Sequence, residues 1–536
     1  MEREERDLSF YLITYLPVAV LTVAAIAAFT IPARQSRQIA RLAEISGLAA
    51  FLFAVLSALT LVIEGPGTSP LIGFYGVGSS ARVDAVSSVM LVLVSFVGWV
   101  VLRYSRTYMK GEAHQGPFTG WLCATLVAVL LLVQAGNLVQ LIAAWIAISA
   151  FLNRLLLFYP DRVAAQRAAR KKALTTWIGN FALLGAVLLL AIGFGTTDIA
   201  AISGEIRDGE TPVVIAYWAA ALIAVAALMK SAQFPAHSWL TEVMETPTPV
   251  SSLLHAGVIN AGGFLLIRFA DVMLLAPGVL AVLVMIGGFT ALFGGLVMLT
   301  QPAVKTSLAW STIAQMGFMI LQCGLGLFAI ALLHIVAHSL YKAHAFLSSG
   351  GAVEQIAKVR RPGPIAIPDG TAVARSFVVA LLLYALIGAI FGFESKSPQA
   401  IALGAVLILG VAYLLAQGLA DAAPKILTRR TALYSVLTGT AYFALQTIAE
   451  WATKGTLPPT PDPRPLEWAL IVLTVVSFGL VAIAQAMFPL WAYHPAASGL
   501  RVHLSNGLYI NAVFDRLLGG WTLRSATRKT REGSSQ

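Results

Sequence analysis

The sequence predicts an all-α polytopic membrane protein with about fifteen transmembrane helices. Of its 536 residues, 58% are hydrophobic and only 11% are charged, whereas soluble domains carry roughly 25% charged residues. The mean hydropathy is +0.81. Apolar runs of about twenty residues, each long enough to cross a bilayer, recur along the sequence. This composition leaves no room for a large soluble domain, and a soluble all-helical protein is the minor alternative.

Membrane spans are predicted wherever such an apolar run lies between polar loops. The first run is too long for the apolar core of a signal peptide, and it follows no basic segment. The predicted spans are 9–31, 46–64, 84–104, 118–135, 137–159, 171–194, 213–234, 248–270, 273–300, 305–322, 325–350, 372–393, 398–422, 431–450 and 466–490.

The charges of the loops predict the orientation of the chain in a cell inner membrane. The formal net charge is +11, and basic residues concentrate in alternate loops. The basic loops include 32–41, 103–110, 161–172 and 358–363. Because basic loops stay on the cytoplasmic side, we expect the N-terminus outside and the C-terminus inside. The positive charge thus indicates orientation, and nucleic acid is not an expected partner. The loop 236–247 is predicted inside although it carries Glu242 and Glu245.

Motifs for cofactors and metals are missing from the sequence. Cys123 and Cys323 lie in apolar runs and form neither a disulfide framework nor a metal-binding spacing. There is no glycine-rich nucleotide motif and no Cys/His cluster with zinc or iron–sulfur spacing. We therefore expect no cofactor, no bound metal and no catalytic site of the chain's own. The chemistry that remains is the movement of protons or other ions.

Lys230 lies near the end of the seventh predicted span, in AYWAAALIAVAALMKSAQFPAH. A lysine at mid-membrane costs roughly 2.5–3.5 kcal/mol on insertion scales, so it usually faces the protein interior. Pro235 follows, and a proline breaks a helix because it removes a backbone hydrogen bond. A broken helix beside a buried lysine is a recurring design of ion sites. The alternative is a lysine whose long stem carries its charge to the membrane surface.

A ladder of titratable groups occurs in the stretch LHIVAHSLYKAHAF, residues 333–346. His334, His338 and Lys342 are four residues apart, so a helix places them on one face. Histidine exchanges protons near neutral pH, and three such groups on an apolar helix suit a proton relay. A single buried histidine would more often be structural.

Three further polar residues extend this set, each with a structural alternative. His255, in TPVSSLLHAGVINAGGF, could be a hydrogen-bonded core histidine. Lys305 begins a helix after a proline and could reach the membrane surface. Lys396 lies beside Glu394 in FGFESKSPQA, which could be an ordinary turn. The two charged, proline-containing breaks are five spans apart, which hints at an internal repeat of five helices.

Five stretches of the sequence resemble the antiporter-like membrane subunits shared by respiratory complex I and the Mrp sodium/proton antiporters. The resemblance is greatest to subunit 5 of complex I, and it covers most of the chain to about residue 400. The stretches are ARVDAVSSVMLVLVSFVGWVVLRYSRTYM (81–109), KSAQFPAHSWLTEVMETPTPVSSLLHAG (230–257), KTSLAWSTIAQMGF (305–318), HIVAHSLYKAHAFLSSG (334–350) and SNGLYINAVFDRLL (505–518).

This resemblance implies two inverted five-helix repeats with broken helices. It also implies that Lys230 is the central proton-carrying lysine, that Lys305, His334, His338 and Lys342 continue a hydrophilic axis, and that Lys396 is the lysine of the second broken helix. We expect N-terminal membrane helices over 1–110, an antiporter-like core over 111–425, C-terminal membrane helices over 426–490 and a basic cytoplasmic tail over 491–536.

Three departures from the complex I pattern are visible. In the family, a tryptophan of the fifth span is followed by a glutamate that pairs with the lysine, but here Trp145 is followed by Ile146. The chain also lacks the expected long lateral helix after its last span, and 153–174 is strongly basic. These features resemble the DabB-type membrane subunits of two-component inorganic carbon pumps. Their companion, DabA, is a large soluble protein that resembles a zinc β-carbonic anhydrase.

The resemblance therefore implies a subunit that conducts protons or another cation and drives a DabA-type partner to convert CO2 to bicarbonate. The alternatives are a proton-pumping subunit of a complex I relative, an Mrp-type cation/proton antiporter subunit, and a membrane scaffold that has lost conduction. We expect the partner to dock on the basic inside loop and the tail. The docking residues would be Arg154, Arg162, Arg167, Arg170, Lys171 and Lys172, unless this loop is basic only for orientation.

Overall fold

The computed structural model describes residues 10–32, 35–74, 77–209, 213–351, 369–419, 424–487, 491 and 494–519. Residues 1–9, the basic loop 358–363 and positions 520–536 of the basic tail lie outside these ranges. In the described part, almost every regular element is a helix. The all-α prediction is therefore confirmed.

The first half of the chain runs from a short 3₁₀ turn, Phe10–Tyr15, to the predicted break after the seventh span. Asp84 begins α3 with a capping box, because its side chain accepts from the Ser87 backbone while the Ser87 side chain accepts from the Asp84 backbone. The helices are α1 Leu16–Thr30, α2 Ser36–Glu64, α3 Ala85–Tyr108, α4 Gln115–Val133, α5 Leu138–Leu156, α6 Val163–Phe194, α7 Ile199–Asp208 and α8 Val213–Lys230.

The second half contains shorter helical pieces and then long helices again. Proline starts several of these helices, as its fixed backbone angle favours at a first turn. The helices are α9 Ser238–Glu242, α10 Thr248–Ala256, α11 Ala261–Arg268, α12 Ala270–Leu274, α13 Pro277–Met298, α14 Val304–Gly324, α15 Phe328–Ser348, α16 Gly370–Ile390, α17 Pro398–Gly418, α18 Lys425–Ala452, α19 Pro465–Ala486, α20 Pro495–Ser505 and α21 Ile510–Gly519.

Four short strands between α2 and α3 form two antiparallel pairs. They are β1 Gly67–Thr68, β2 Ile72–Phe74, β3 Val77–Ser79 and β4 Arg82–Val83. β1 pairs with β4 and β2 pairs with β3. The segment between the second and third predicted spans therefore contains regular structure.

Among the described residues, twelve helices are long and apolar enough to cross a membrane. The other three predicted spans coincide with α14, α17 and α18, so the number fifteen stays a prediction. Two boundaries differ from the prediction in an informative way. α2 begins at Ser36, ten residues before its predicted span, and α6 begins at Val163, eight residues before its predicted span. The basic loops 32–41 and 161–172 are therefore largely helical extensions of the spans.

The main core joins α1 through α15. A second cluster, which includes Val284, Leu321, Leu403 and Leu470, packs α17 and α19 against α13 and α14. A third is centred on Tyr384 and Phe443 and joins α16, α17 and α18. Large apolar side chains are exposed on the outer helix faces, as lipid contact requires.

The two predicted helix breaks are present. The first follows Lys230, where α8 ends, and Phe234 and Pro235 lie in the non-helical segment before α9. The second follows α16, where Gly392 has a left-handed φ of 76° and the chain turns through a 3₁₀ segment before Pro398 opens α17. Both breaks therefore place a lysine, Lys230 or Lys396, next to non-helical backbone.

Candidate ion-translocation site

Two lysines meet on α5 at Ser149, which is buried. The Lys230 ammonium donates to Ser149 Oγ at 2.8 Å and lies 4.5 Å from the centroid of the Trp145 ring. The Lys172 ammonium, from α6, donates to the Ser149 backbone oxygen at 3.2 Å. Trp145 and Ser149 are four residues apart on α5, so they present one face to both lysines. Lys230 therefore has a hydroxyl and an aromatic face as its partners.

No described Asp or Glu forms an ion pair with Lys230 or Lys172. Ile146, at the position of the family's glutamate, is 44% exposed, whereas Trp145 beside it is 1% exposed. The Ile146 side chain therefore points to the outside of the bundle, away from the site. The cation–π contact and the serine hydroxyl replace the acid, and a second lysine adds a like charge.

A small cavity of about 20 Å³ lies beside the two lysines. It is lined by Lys172, Lys230, Asn180 and Trp239, among other residues. Asn180 Oδ1 and Trp239 Nε1 are buried and make no hydrogen bond within the described part of the chain. A space of this size holds about one water molecule when it offers two to four polar partners. The cavity therefore suits a single bridging water.

The predicted ladder lies on α15, with His338 and Lys342 buried and the His334 and His338 ring centroids 6.1 Å apart. His334 Nδ1 lies 2.8 Å from Gln322 Oε1, and the Lys342 ammonium donates to the Leu308 backbone oxygen at 3.0 Å. Both ring nitrogens of His338 are buried without a hydrogen bond to a described residue. His344 is exposed and lies off this face.

His255 joins the ladder through α14. Its Nδ1 lies 3.0 Å from Thr312 Oγ1, and the Thr312 hydroxyl donates to the Leu308 oxygen that also accepts from Lys342. The His255 ring stacks on Phe346 at a centroid distance of 4.4 Å. His255 and Lys342 are thus two groups of one network around a backbone carbonyl.

Polar groups also lie between the lysine pair and the ladder. Ser231, next to Lys230, donates to the Ile259 oxygen at 3.2 Å. Asn260 Nδ2 donates to Ser339 Oγ at 2.9 Å, and Ser339 follows His338 on α15. Ile259 and Asn260 belong to a 3₁₀ segment that interrupts the helix between α10 and α11. The sequence analysis does not select Asn260 or Ser339, although a polar residue within an apolar span can indicate a functional position.

The other two predicted lysines stand apart from these groups. Lys305 lies in the first turn of α14, is partly buried, and makes no hydrogen bond to a described residue. Lys396 donates to Glu450 Oε2 at 2.7 Å and to Thr447 Oγ1 at 3.3 Å, both on α18. Its side chain is 6% exposed, whereas that of Glu450 is 42% exposed. Glu450 was not singled out, because it is 54 residues from its partner.

The residues predicted for partner docking fall into two groups. Lys171 and Lys172 are buried, and Lys171 forms ion pairs with Glu242 and Asp515, so neither lysine lies on a docking surface. The arginines lie on the surface: Arg154, Arg162, Arg167 and Arg170 are exposed. Two of these contact aromatic rings, Arg154 at Trp121 and Arg162 at Tyr159.

Lys171 forms ion pairs with both Glu242 and Asp515. This contact accounts for Glu242, an acidic residue in the loop 236–247 that is predicted to lie inside. Glu242 lies at the end of α9, and Asp515 lies on α21. Burial raises the pKa of Glu242, and Asp515 adds to this, while Lys171 and Arg167 oppose it. α21 also contacts α9 directly, since Asn511 Nδ2 lies 3.3 Å from Thr241 Oγ1. α21 is therefore attached to the segment that follows the Lys230 break.

Comparisons with known proteins identify relatives along most of the chain. Residues 135–366 match the family described as NADH:quinone oxidoreductase/Mrp antiporter, and residues 72–119 match the N-terminus of complex I chain 5. A probable inorganic carbon transporter subunit DabB2 from Halothiobacillus neapolitanus is 38% identical over 87% of this chain and 84% of that protein. The corresponding DabB of Hydrogenovibrio crunogenus is 45% identical over 53% of this chain and 55% of that protein.

Solved structures share the fold at lower identity. The Mrp complex from Dietzia contains a chain with a TM-score of 0.62 and 23% identity, covering 96% of this chain and 60% of that one. Respiratory complex I from Thermus thermophilus contains another, with a TM-score of 0.51 and 19% identity, covering 94% of this chain and 99% of that one. The antiporter-like fold predicted from the sequence is therefore confirmed.

Proposed function

Because the chain belongs to the family of DabB-type inorganic carbon transporter subunits, we propose that it is the membrane subunit of an energy-coupled inorganic carbon pump. It lets protons or another cation run down their gradient across a cell inner membrane, with its N-terminus outside. The energy released drives a soluble partner to convert CO2 to bicarbonate in one direction. The chain itself conducts ions and performs no chemistry on inorganic carbon.

The main support for ion conduction is the pair of lysines at Ser149, with a water-sized cavity beside them. Lys230 and Lys172 have no carboxylate partner among the described residues, so neither charge is fixed by an ion pair. Ser231, Asn260 and Ser339 continue the polar groups toward the ladder on α15. In this proposal an ion or proton passes from Lys230 along these groups to His338 and Lys342.

The partner we propose is a DabA-type soluble protein that contains zinc and resembles a β-carbonic anhydrase. Its docking surface is formed by the exposed arginines Arg154, Arg162, Arg167 and Arg170 together with the C-terminal region after α21. The ion pair between Asp515 of α21 and Lys171, which also pairs with Glu242, supports this assignment. Movement of a partner bound there would act directly on the segment after the Lys230 break.

The test is Lys230→Ala in cells that express both subunits and lack other carbon uptake systems. We expect bicarbonate accumulation to be abolished, because the central ion-carrying group is removed. Lys110→Ala is the matched control, since Lys110 is an exposed lysine of a basic loop, and it should accumulate bicarbonate normally. Normal accumulation in Lys230→Ala, at equal membrane levels of the protein, would contradict the proposal.

Two other activities share this fold, and the same cells distinguish them. A complex I-type subunit would support quinone-linked NADH oxidation, and an Mrp-type subunit would confer sodium tolerance. The 34% identity to the NAD(P)H-quinone oxidoreductase chain 5 of Synechocystis, over 67% of this chain, favours the first of these as second candidate. That relative is covered over 55% of its length. Restored NADH oxidation without carbon accumulation would select it.

A further inference from the structure

A larger cavity, of about 360 Å³, lies where four helix ends meet on the side of the membrane predicted to be outside. The start of α13, the end of α14 and the starts of α17 and α19 surround it, together with the loop before α19. None of the predicted ion-site residues lines it. A water molecule occupies about 30 Å³, so a ligand part of about a dozen non-hydrogen atoms fits here.

The inner part of this cavity is apolar. Its walls are Leu280 and Ala281 of α13, Leu325 after the end of α14, and Leu470 of α19. Leu280 belongs to the main core, whereas Leu325 and Leu470 belong to the second core cluster. Apolar surface in contact with water costs roughly 25 cal/mol per Å². The space between the two clusters is therefore better filled by hydrocarbon than by water.

The outer rim of the cavity is charged and accessible. Arg464 and Asp462 are exposed, and Glu467 is partly exposed. The Arg464 guanidinium and the Asp462 carboxylate are not bonded to any described residue. Glu467 Oε2 accepts from the Arg464 backbone N–H at 3.1 Å, which leaves its other oxygen unbonded within the described part of the chain. The rim thus offers a ligand both cationic donors and anionic acceptors.

The loop that carries the rim is fixed to the helices around it. Gln399, at the start of α17, is 2% exposed, and its Nε2 donates to the Pro461 backbone oxygen at 2.8 Å. Gly326, after the end of α14, has a φ of +75°, and a Cβ added there would lie 3.1 Å from Pro461 Cδ. The charged groups are therefore held in place before a ligand arrives, which lowers the entropy cost of binding.

The rim lies at the level expected for lipid headgroups. Trp468, one helical turn after Arg464, is 48% exposed, and exposed tryptophans concentrate at the membrane–water interface. Leu466 and Val282, on α19 and α13, are also exposed apolar residues, as lipid contact requires. The cavity thus has its charged end at the interface and its apolar end toward the hydrocarbon.

We propose that this cavity binds one phospholipid whose headgroup carries a primary ammonium beside its phosphate, the class of phosphatidylethanolamine. Arg464 donates charge-assisted hydrogen bonds to the phosphate. The ammonium donates to Asp462 and Glu467, since a primary ammonium has three N–H donors. The hydrocarbon next to the headgroup lies against Leu280 and Leu470.

The charge of the rim distinguishes this headgroup from other lipids. One arginine and two acids leave one negative charge among the lining residues. A phosphatidylglycerol headgroup adds a further negative charge and has no cation for the carboxylates. A phosphatidylcholine headgroup has the right charges, but its quaternary nitrogen has no N–H to donate. The expected order of affinity is therefore phosphatidylethanolamine first, phosphatidylcholine second and phosphatidylglycerol last.

The experiment uses the purified full-length protein, stripped of lipid in a neutral detergent. Each of the three lipids, with identical acyl chains, is added in turn. Native mass spectrometry counts the bound lipids, and the rise of the thermal unfolding midpoint gives the apparent affinity. We expect one retained phosphatidylethanolamine per chain, bound about tenfold more tightly than either other lipid. Equal affinities, or tighter binding of phosphatidylglycerol, would overturn the proposal.

Two variants change the cavity in different ways. Arg464→Gln removes the phosphate partner, and Ala281→Phe fills the apolar part without changing a charge. Each should weaken phosphatidylethanolamine binding about tenfold. Arg501→Gln, at an exposed arginine of α20, and Ala469→Phe, on the exposed face of α19, are the matched controls and should bind as the parent does. Unchanged affinity in both cavity variants would overturn the proposal.

A double variant tests the ammonium contact by itself. Asp462→Asn with Glu467→Gln keeps the size of both side chains and removes both charges. Phosphatidylethanolamine should then bind no more tightly than phosphatidylcholine, an outcome that a general loss of stability would not produce. A preference that persists in the double variant would overturn the assignment. This site is independent of the proposed function, so Lys230→Ala should retain the lipid.

Discussion

Lys230 and Lys396 each lie beside a break in a membrane helix, yet their surroundings are opposite. The Lys230 ammonium contacts a serine hydroxyl and a tryptophan ring, with Lys172 nearby on the same serine. The Lys396 ammonium forms an ion pair with Glu450. A charged lysine in apolar surroundings is costly unless it is paired. Under the proposed function this difference favours Lys230 as the conducting group, because it lacks the ion pair that Lys396 makes with Glu450.

Ile146 occupies the position where the family has a glutamate, and the structure gives this absence a physical interpretation. The sequence alone leaves Lys230 without its usual acid, which suggests either a lost function or another partner. In the structure Ile146 faces outward, and no described carboxylate pairs with either lysine. Under the proposed function, two lysines that share one serine take the place of the lysine–glutamate pair.

Among substitutions of the residues around the two lysines, Ser149→Asp has the largest expected effect, because it gives the Lys230 site the acid that the Lys396 site has. The new carboxylate would lie where both lysines meet and would hold both in the charged form. Hydrogen bonds to charged groups contribute roughly 1.5–3 kcal/mol, so we expect conduction to fall about 10- to 100-fold. Ser149→Ala, which adds no charge, is the control and should lose less. Unchanged proton flux in Ser149→Asp would contradict the account.

A smaller effect is expected from Lys172→Met, which keeps the stem of the side chain but removes its charge. Under the proposed function Lys172 takes part in conduction beside Lys230 at Ser149. We therefore expect about a tenfold loss of flux, or roughly 1.4 kcal/mol. The measurement is the rate at which an imposed pH gradient decays in vesicles containing the pump. Lys454→Met provides a control for the loss of a lysine charge. A faster decay in Lys172→Met would reverse the proposed role of the lysine pair.

Glu450→Gln removes the acid that forms an ion pair with Lys396. Glu450 is 42% exposed, and exposed ion pairs contribute roughly 0–1 kcal/mol. We therefore expect a small loss of thermal stability and a change in proton flux of less than about fivefold. A loss of flux as large as that of Lys230→Ala would show that Lys396, and not Lys230, is the main conducting lysine.

The smallest expected effect is that of Asp515→Asn on the pH dependence of stability, where α21 contacts the segment after the first break. The pKa of Glu242 is raised above its ordinary 4.5 by burial and then by Asp515. Stability linked to this group is present at low pH and falls as the pH rises through the raised pKa. Asp515→Asn removes the repulsion, lowers the pKa of Glu242 and should move this fall to lower pH.

Thermal unfolding midpoints measured from pH 4 to pH 7 check this prediction, with Asp161→Asn as an exposed control. Asp515→Asn also loses its contact with Lys171, so its midpoint should be lower at all pH values. A pH profile that is displaced downward without a shift along the pH axis would show that Asp515 does not act on Glu242.

Helical periodicity explains which parts of this picture were predictable. The spacing of His334, His338 and Lys342 placed them on one face, and Pro235 marked the break after Lys230, because both signals are local. The partners were not predictable, since they are distant in sequence or carry no sequence signal. Ser149 is 81 residues from Lys230, and the partner of Lys342 is the backbone oxygen of Leu308.

The basic loop shows a different limit. The sequence places Lys171 and Lys172 at the end of the basic loop 161–172, where the sixth predicted span begins. α6 begins eight residues earlier, at Val163, and carries both lysines into the protein. Glu242 and Asp515, which make the burial of Lys171 possible, come from segments that only the tertiary structure brings together.

The central claim is that Lys230 carries the conducted ion without a carboxylate partner. Its most direct test is the decay of an imposed pH gradient in vesicles that contain the purified pump, comparing the parent protein with Lys230→Ala. The account predicts rapid decay with the parent protein and decay at the rate of empty vesicles with Lys230→Ala. Equal, rapid decay in both preparations would contradict it.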